Sequence, residues 1–582
     1  MDQKEFENLL KEQKVKRREV TNKILSSASI KKVIVSGPGT GKTFTFQELL
    51  KTKQGNYLAL TFINNLAKKL ENDLGDTAKT STFHSFCKEL LHSIKKTDLT
   101  DEFILFPDLE LIVQSDAELF FNLKPKFMQS FRKIDLSHNY IKFFLERSSY
   151  YNAVSFDDSV YRVLDYFRNN PDQIPSYDQI VVDEYQDFNM LEVEFINILA
   201  SKSPILIVGD DDQALYGALK SASAKYIRDK YKSSEYDDFS LPFCSRCTLV
   251  VTKAVKDIIS RASVQGKLKE RVPKEYVCYL PDKWDDSKKY PKIIHARCSV
   301  QRKKFPSAAF FIESEIDKLS PDDVKAANVK GDYTVLVTGS KQYLRQLIEY
   351  FKKQGKYDLF YRKEEDFSKS LKIIDGYKIL FEKGISNNFG WRILLEHNRP
   401  KNIKSILSKT KKDTTVKLLD ALPKDYTDKH IKIINLLKEL LIGGQLTSAG
   451  RSILEKSLKM KIDKIVDYMG KDRSKAKQSS FPQDVNKISI VFSTYVGCKG
   501  LSVGYVFIVG LDEGNLPKKN NTPTELEIRK FIVALTRTIK KCYLISIGNF
   551  SGQWLKQSIF INWVSSKRLD SVSVNKAYFE NG

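Results

Sequence analysis

The chain has 582 residues, 41% of them hydrophobic, and its 96 Lys and Arg against 72 Asp and Glu give a formal net charge of +24 at pH 7. This length exceeds what one hydrophobic core supports and predicts about three or four compact units. The basic balance favours a polyanionic partner such as nucleic acid, with a lysine-rich solvated surface as the alternative.

Targeting and membrane signals are missing from the sequence. Residues 1–20 carry charges throughout and lack the apolar centre of a signal peptide. No run reaches the roughly 18 apolar residues that a membrane span needs. The seven cysteines are an odd number without regular spacing, which argues against a disulfide framework. We therefore expect a cytoplasmic protein with no membrane association.

In chain order, a charged helix over about residues 1–30 leads into a β-branched strand, Val33 to Val35, which ends in a glycine-rich loop. The loop fits the pattern Gly-x-x-x-x-Gly-Lys-Thr, in which backbone N–H groups cradle phosphates. Lys42 is expected to reach the β- and γ-phosphates, and the Thr43 hydroxyl to hold Mg²⁺. We predict a nucleoside triphosphate site, ATP with Mg²⁺, formed by Gly37, Pro38, Gly39, Thr40, Gly41, Lys42 and Thr43.

Further short apolar runs predict a parallel sheet around this loop. They are Tyr57 to Phe62, Ile180 to Val182 and Ile205 to Val208, and each ends in polar residues. The carboxyl ends of parallel strands meet at one edge, so sites at these ends converge.

Carboxylates follow two of these strands. Asp183 and Glu184 suit a metal ligand and a water-activating group, respectively. Farther on, Gln213 is placed where an amide could read the γ-phosphate, with Tyr216 nearby.

The remaining sequence predicts a second sheet and two insertions. Residues from about 90 to 160 are aromatic, basic and mostly helical in pattern. Strand patterns return at Tyr333 to Val337, Ile488 to Phe492 and Val506 to Val509. Between them lie helical periodicities over Ile431 to Leu441 and Ile453 to Ile465, separated by a Gly443-Gly444 break.

Taken together, the motifs from residue 37 to about 545 resemble the UvrD/Rep-type superfamily 1 helicases. The resemblance rests on the phosphate loop, Val182-Asp183-Glu184-Tyr185-Gln186-Asp187, Ser81-Thr82-Phe83-His84-Ser85-Phe86, Thr494-Tyr495-Val496-Gly497-Cys498-Lys499-Gly500 and Ala534-Leu535-Thr536-Arg537. It implies an α/β fold of two RecA-like parallel-sheet P-loop NTPase domains, each interrupted by a mostly helical insertion. The expected bounds are 1–90 plus 160–235 for the first domain, 91–159 for its insertion, 236–360 plus 481–582 for the second domain and 361–480 for its insertion.

The resemblance also implies roles for individual residues. Arg246 and Arg537 would be arginine fingers beside Lys42, Glu184 and Gln213, and Gly500 would touch nucleotide. The residues expected to contact DNA are Thr61, Phe62, Asn64, His84, Tyr216, Thr494, Tyr495 and Lys499. For His84 and Phe62 a core position is the alternative reading.

Several positions depart from the family pattern. Ser245 stands where an aromatic usually stacks on adenine, with Phe243 as a substitute, and Asn22 is the candidate for the adenine-reading amide. Gly217-Ala218-Leu219-Lys220 follows Tyr216 without the usual base-stacking Trp. Cys244 and Cys247, with Cys278 and Cys298 downstream, could also be read as zinc or iron–sulfur ligands, although their spacing matches no standard set.

The expected function is an ATP-dependent 3′-to-5′ DNA helicase or translocase acting on single-stranded DNA and single/double-strand junctions, in DNA repair, recombination or anti-phage defence. The alternative is an ATP-gated, DNA-sensing regulatory subunit of a nuclease complex with little unwinding of its own. An RNA-directed motor is a third reading of the same backbone contacts.

Overall fold

The computed structural model describes residues 3–51, 55–61, 67, 71–72, 74–94, 99–100, 103–136, 139–302, 305–362, 371–470, 484–550 and 553–579. Statements about the fold refer to these residues. They form two parallel sheets, each flanked by helices, as the sequence predicts.

The first sheet has six strands in the order β3-β2-β4-β5-β1-β6, and all neighbours are parallel. Its central strands are buried on both faces, which is why they read as continuous apolar runs. The strands are β1 Lys31–Val35, β2 Tyr57–Thr61, β3 Lys79–Thr82, β4 Gln179–Val182, β5 Ile205–Gly209 and β6 Asp237–Phe239.

Helices cover this sheet and fill the insertion between β3 and β4. Those beside the sheet are Gln3–Ser26, Lys42–Lys51, Met190–Leu199, Gly217–Lys220 and Lys225–Lys232. Those between β3 and β4 are Phe83–Ser93, Leu109–Phe121, Phe127–Lys133, Asn139–Tyr151 and Phe156–Asn169, with a short parallel pair Ile104–Leu105 and Ala153–Val154. The insertion and the sheet share one hydrophobic core.

The second sheet has seven parallel strands in the order β9-β10-β8-β11-β12-β7-β13. The strands are β7 Ile293–Cys298, β8 Val335–Gly339, β9 Asp358–Arg362, β10 Ser489–Thr494, β11 Val503–Val509, β12 Thr538–Ser546 and β13 Leu569–Val574. Helices around it are Leu249–Val264, Leu280–Lys289, Ser307–Ile316, Pro321–Val329, Lys341–Gln354, Glu525–Leu535 and Ile559–Trp563.

The second insertion lies between β9 and β10 and is helical throughout its described part. Its helices are Ile373–Lys383, Asn388–His397, Ile403–Lys412, Leu418–Ala421, Lys424–Leu441, Ser448–Leu458 and Ile462–Met469. The two insertions touch through buried charge: the Asp116 carboxylate accepts hydrogen bonds from Arg147 Nε at 2.9 Å and Arg392 Nε at 2.7 Å.

Two details differ from the sequence prediction. Asp237–Phe239 pairs with β1, so the first sheet continues past the expected boundary at 235. The single helix expected over Ile453 to Ile465 is two helices, because Lys459 adopts a left-handed conformation, with φ of 53°, at the end of the first. No helix in the described parts of the chain is long and apolar enough to cross a membrane.

Candidate nucleotide-hydrolysis site

The phosphate loop joins β1 to the helix Lys42–Lys51. Gly39 and Gly41 have φ of +70° and +90°, conformations that other residues adopt only with strain. The Thr40 hydroxyl donates to the Gly37 carbonyl at 2.8 Å and fixes the turn. The loop therefore presents backbone N–H groups and the positive end of a helix to the same space.

Residues that follow the first sheet in the chain pack against the phosphate loop. Ser245 N–H donates to the Gly39 carbonyl at 2.9 Å, and the Tyr276 hydroxyl donates to the Pro38 carbonyl at 3.0 Å. A Cβ on Gly39 would overlap the Arg246 Cβ, so this position needs glycine for close packing as well as for its φ.

Asp183 and Glu184 stand at the end of β4, close to the loop. Glu184 N–H donates to Asp183 Oδ1 at 2.9 Å, and the Glu184 carboxylate accepts from Gln186 Nε2. Burial and the neighbouring Glu184 charge raise the pKa of Asp183 to about 6. Burial also acts to raise the pKa of Glu184, but the Lys499 and Lys42 charges outweigh it and lower that pKa to about 2. Glu184 is thus the more acidic member of the pair.

Lys499 lies in the segment that leads into β11 and pairs with two carboxylates that follow β4, those of Glu184 and Asp187. Its Nζ lies 3.4 Å from Glu184 Oε2, pairs closely with Asp187 and donates to the Gln213 carbonyl at 2.8 Å. Burial lowers the pKa of Lys499, but the two carboxylates overcome that effect and raise it. The ammonium therefore ties a loop of the second sheet to the acidic end of the first.

Gln213 and Arg537 form the second link between the sheets. Arg537 immediately precedes β12, and its Nη2 donates to Gln213 Oε1 at 2.8 Å. Its Nη1 and Nε donate to the Leu501 and Val533 carbonyls at 3.1 and 2.9 Å. Burial and the like charge of Arg246 lower the pKa of Arg537 to about 10, so it stays cationic at neutral pH. This guanidinium is held by several acceptors rather than free to swing.

Arg246 and Gly500 lie at the same junction. Arg246 packs on Gly39, and its Nη1 donates to the Thr536 carbonyl at 3.4 Å, next to Arg537. Gly500 has a φ of +83° in the turn after Lys499. The structure thus brings together Lys42, Asp183, Glu184, Gln213, Arg246 and Arg537 around one phosphate loop, although their separate catalytic roles remain predictions.

The donor set suits a magnesium–nucleotide complex. The Thr43 hydroxyl and the Asp183 carboxylate are oxygen ligands of the kind that Mg²⁺ prefers. Ser36 Oγ and Thr61 Oγ1 are buried beside the strand ends without a hydrogen-bond partner. Burial raises the pKa of Asp183, and a cation bound at its carboxylate would lower that pKa again.

The residues beside the loop that could face a base differ from those expected. Asn22 is exposed on the first helix, and its adenine role remains a prediction. Arg17 of the same helix donates to Ser245 Oγ at 2.9 Å and lies 4.4 Å above the Tyr279 ring. Phe243 is buried and packs edge-on against Tyr279 at 5.9 Å. The planar groups beside Ser245 are thus Arg17 and Tyr279, which stack on each other.

Six of the residues expected to touch DNA are among those that the structure describes, and four of these six are buried: Thr61, Tyr216, Tyr495 and Lys499. Thr61 ends β2, and His84 lies in the first turn of the helix Phe83–Ser93 with its Nε2 at 3.6 Å from Glu192 Oε1. Burial, with the Lys220 and Arg132 charges, lowers the pKa of His84 to about 3. The Lys499 ammonium lies 5.6 Å from the centre of the Tyr216 ring.

Two more of these residues lie at the end of β10. The Tyr495 hydroxyl donates to the Val509 carbonyl at 2.5 Å, and the Thr494 hydroxyl accepts from Gly497 N–H at 3.0 Å. Tyr495 is buried. Phe62 and Asn64 lie outside the described residues. Contact with DNA stays a prediction for the whole set.

Sequence reasoning missed three residues of this site. Asp187 closes the Lys499 pair, and it lies inside the acidic motif that follows β4. Tyr276 covers Gly37, where a Cβ would come within 2.5 Å of its ring. Neither Tyr276 nor Arg17 belongs to a local pattern that would single it out from the sequence.

Comparison with known proteins gives one family match and several similar proteins. A family model described as an AAA domain matches residues 19–219. A probable DNA helicase II homologue of Mycoplasma genitalium is 22% identical, over 93% of this chain and 86% of that protein. The ATP-dependent DNA helicase PcrA of Staphylococcus epidermidis is 29% identical over 32% of each chain. DNA helicase II of Haemophilus influenzae is 25% identical over 40% of this chain and 38% of that protein.

The fold and the site define a P-loop protein with an AAA domain and two parallel sheets meeting at one phosphate loop. The chain is similar over 93% of its length to the Mycoplasma genitalium protein and over 32% and 40% of its length to the PcrA and DNA helicase II proteins, which confirms the resemblance to UvrD/Rep-type superfamily 1 proteins.

Proposed function

We propose that the protein is an ATP- and Mg²⁺-dependent motor that moves 3′-to-5′ along single-stranded DNA and separates duplex at junctions. The observation that carries this proposal is the hydrogen bond from Arg537 to Gln213, supported by the ion pair of Lys499 with Glu184. Both contacts join hydrolytic residues of one sheet to cations of the other. The relatives, whose names describe DNA helicases, support the same activity.

The chemistry assigned to each residue follows from its position. The phosphate loop and Lys42 would bind the β- and γ-phosphates, and Thr43 with Asp183 would hold Mg²⁺, which neutralises phosphate charge when bound. Glu184 would orient the attacking water through its ionised carboxylate. Arg537 and Arg246 would stabilise charge on the transferred phosphoryl group, which requires the two sheets to be closed.

Movement would follow from opening and closing of the two sheets around nucleotide. Lys499 contacts Glu184, the peptide carbonyl of Gln213 and the Tyr216 ring. Loss of the γ-phosphate beside Glu184 would therefore shift Lys499 and, through it, Tyr216. Strand contacts through Thr61, Phe62, Asn64, His84, Tyr216, Thr494, Tyr495 and Lys499 would then alternate with the nucleotide state. The net charge of +24 favours the polyanionic track.

The cellular setting is proposed from chemistry alone. All seven cysteines are buried and unbonded, which favours a reducing compartment such as the cytoplasm. DNA repair, recombination and anti-phage defence all supply single-strand junctions.

The test is ATP hydrolysis with and without single-stranded DNA, together with strand separation on substrates tailed at the 3′ or the 5′ end. The motor requires stimulated hydrolysis and unwinding from the 3′ tail, both lost in Lys42→Ala and Glu184→Gln. Unwinding that survives these substitutions would overturn the proposal. DNA affinity should weaken with salt, by a logarithmic slope of roughly 0.7 for each phosphate neutralised.

A second candidate is an ATP-gated regulatory subunit that senses DNA and controls a partner nuclease. It is favoured by the region after Tyr216: Tyr216 is itself buried, and the helix Gly217–Lys220 that follows it has no aromatic residue to stack a base. DNA-stimulated hydrolysis without unwinding, together with a co-purifying nuclease, would select this candidate. Competition between DNA and RNA of one sequence would decide whether the track is RNA.

A further inference from the structure

The segment Cys244-Ser245-Arg246-Cys247 places a pair of thiols on either side of one of the two arginines at the nucleotide site. Cys247 N–H donates to the Cys244 sulfur at 3.3 Å, and the Tyr276 hydroxyl lies 3.1 Å from Cys244 Sγ and 3.6 Å from Cys247 Sγ. Both cysteines are buried. Both sulfurs therefore lie within reach of the same Tyr276 hydroxyl.

The two thiols differ in acidity in a way that suits disulfide chemistry. Burial acts to raise the pKa of Cys244, but hydrogen bonds from Cys247, Tyr276 and backbone N–H groups outweigh it and lower that pKa to about 6. Burial and its neighbour Cys244 raise the pKa of Cys247 well above its usual value. One sulfur is thus available as the attacking thiolate while its partner remains a thiol, as in Cys-x-x-Cys redox motifs.

The pair is joined mechanically to the phosphate loop. The Cys244 sulfur would lie 3.3 Å from a Cβ on Gly39, and the intervening Ser245 N–H binds the Gly39 carbonyl at 2.9 Å. Arg246, between the two cysteines, packs on the same glycine. A disulfide that shifts the backbone between the two cysteines would therefore move residues that touch the loop.

We propose that Cys244 and Cys247 form a reversible disulfide that switches off the nucleotide site, with a peroxide as the oxidant. The Cys244 thiolate attacks one peroxide oxygen and becomes a sulfenic acid as hydroxide leaves. The Cys247 sulfur then attacks the Cys244 sulfur, forming the S–S bond and releasing water. Two thiols and one hydrogen peroxide give one disulfide and two waters, and a dithiol reverses the reaction.

The disulfide acts on the site through geometry. A bonded pair of sulfurs lies about 2.05 Å apart, so the Tyr276 hydroxyl loses its thiolate partner and the Ser245-Arg246 turn repacks against Gly39. Because both sulfurs are buried, peroxide reaches them when this turn lifts from the loop. The effect on hydrolysis rests on the proposed ATPase function, whereas formation of the bond does not.

The bond can be detected without any activity. Trypsin cuts after Arg246, so the disulfide alone would hold together the peptides 233–246 and 247–253. We expect peroxide-treated protein, alkylated while unfolded, to yield this linked pair and to lose it with dithiothreitol. Cys87→Ser, which removes a buried thiol in the helix Phe83–Ser93, should behave as wild type, and Cys247→Ser should give no linked pair. Where Cys247→Ser fails to fold, Cys247→Ala replaces it.

Activity is measured on the same samples. The ATP hydrolysis rate of oxidised wild type should fall about 10²-fold, the scale expected for a misplacement of about 1 Å, and recover with dithiothreitol. The ratio of oxidised to reduced rates should stay near one for Cys247→Ser. Absence of the linked peptides while circular dichroism is unchanged, or a bond to the 275–283 peptide that carries Cys278, would overturn the pairing. A linked pair with an unchanged rate of ATP hydrolysis would overturn the switch. Protein that does not hydrolyse ATP even when fully reduced would contradict the proposed function instead.

Discussion

The Arg537 guanidinium donates a hydrogen bond from Nη2 to Gln213 Oε1 at 2.8 Å, although 324 positions separate the two residues in the chain. Gln213 in turn donates its amide to Asp210 Oδ2 at 2.6 Å, and Asp210 N–H binds Gln186 at 2.8 Å. A chain of oriented hydrogen bonds therefore runs from the second sheet to the acidic motif of the first. Each link fixes the side chain that the next one needs.

Arg537→Ala should slow ATP hydrolysis strongly while leaving nucleotide binding nearly unchanged. Removal of an arginine finger costs roughly 10³ to 10⁵ in rate, so kcat should fall by at least about 10³-fold with little change in KM. Arg537→Lys keeps the charge but loses the planar fork and should remain impaired. Arg568→Ala, which breaks a partly exposed pair with Asp257, is the matched control. Near wild-type hydrolysis by Arg537→Ala would remove this residue from the mechanism.

Lys499→Met should destabilise the fold, because it leaves the buried carboxylates of Asp187 and Glu184 without their cation. Breaking a buried pair from one side costs about 3 to 5 kcal/mol in the free energy of unfolding, measurable by urea denaturation. Adding Asp187→Asn should restore part of that loss. Lys541→Met removes a partly exposed ion pair with Glu315 and should cost about 1 kcal/mol or less. Equal losses in the two Lys variants would contradict the assignment.

The two helical insertions should be coupled through Arg392 and Asp116. Both side chains are fully buried, and Arg147 shares the carboxylate. Arg392→Met leaves Asp116 with one cation and should destabilise by about 3 to 5 kcal/mol. In a double-mutant cycle with Asp116→Asn, the coupling should reach about 0.5 to 3 kcal/mol. The exposed pair Lys225 and Asp229 provides a control cycle with coupling near zero. Strict additivity at Arg392 and Asp116 would show that the insertions do not depend on this contact.

Glu192 should make stability depend on pH. Burial raises its pKa to about 7 from 4.5, with the Lys220 and Arg132 charges opposing and Asp157 reinforcing that change. The folded state therefore binds a proton that the unfolded state releases, so stability is full below pH 4.5 and falls as pH rises through 7. A tenfold difference in proton affinity between the folded and unfolded states corresponds to about 1.4 kcal/mol in the free energy of unfolding.

Glu192→Gln removes that titration while keeping the oxygen that accepts the Asn189 N–H bond at the start of its helix. Its melting temperature should exceed that of the wild type at pH 8, and the two should converge toward pH 5. His84, at 3.6 Å, stays neutral over this range because its pKa is about 3. Parallel pH profiles for the two proteins would show that Glu192 does not titrate in this range.

The sequence by itself determined the phosphate loop, the carboxylates after β4 and the parallel character of both sheets. These features are local: a glycine pattern fixes a turn, and a buried strand must be apolar along its length. Adjacent residues such as Asp183 and Glu184 are placed by the strand that precedes them.

Tertiary structure alone decided which distant residues meet. Lys499 pairs with Glu184, Arg17 lies on Tyr279, and Asp237–Phe239 joins the first sheet rather than the second. Tyr495, expected at a strand-binding surface, has its hydroxyl bound to a buried carbonyl. Such pairs depend on strand order and on the approach of the two sheets, and neither leaves a periodic signal in the chain. A cation such as Lys499 becomes buried, and gains the carboxylates that pair with it, only when both sheets are assembled.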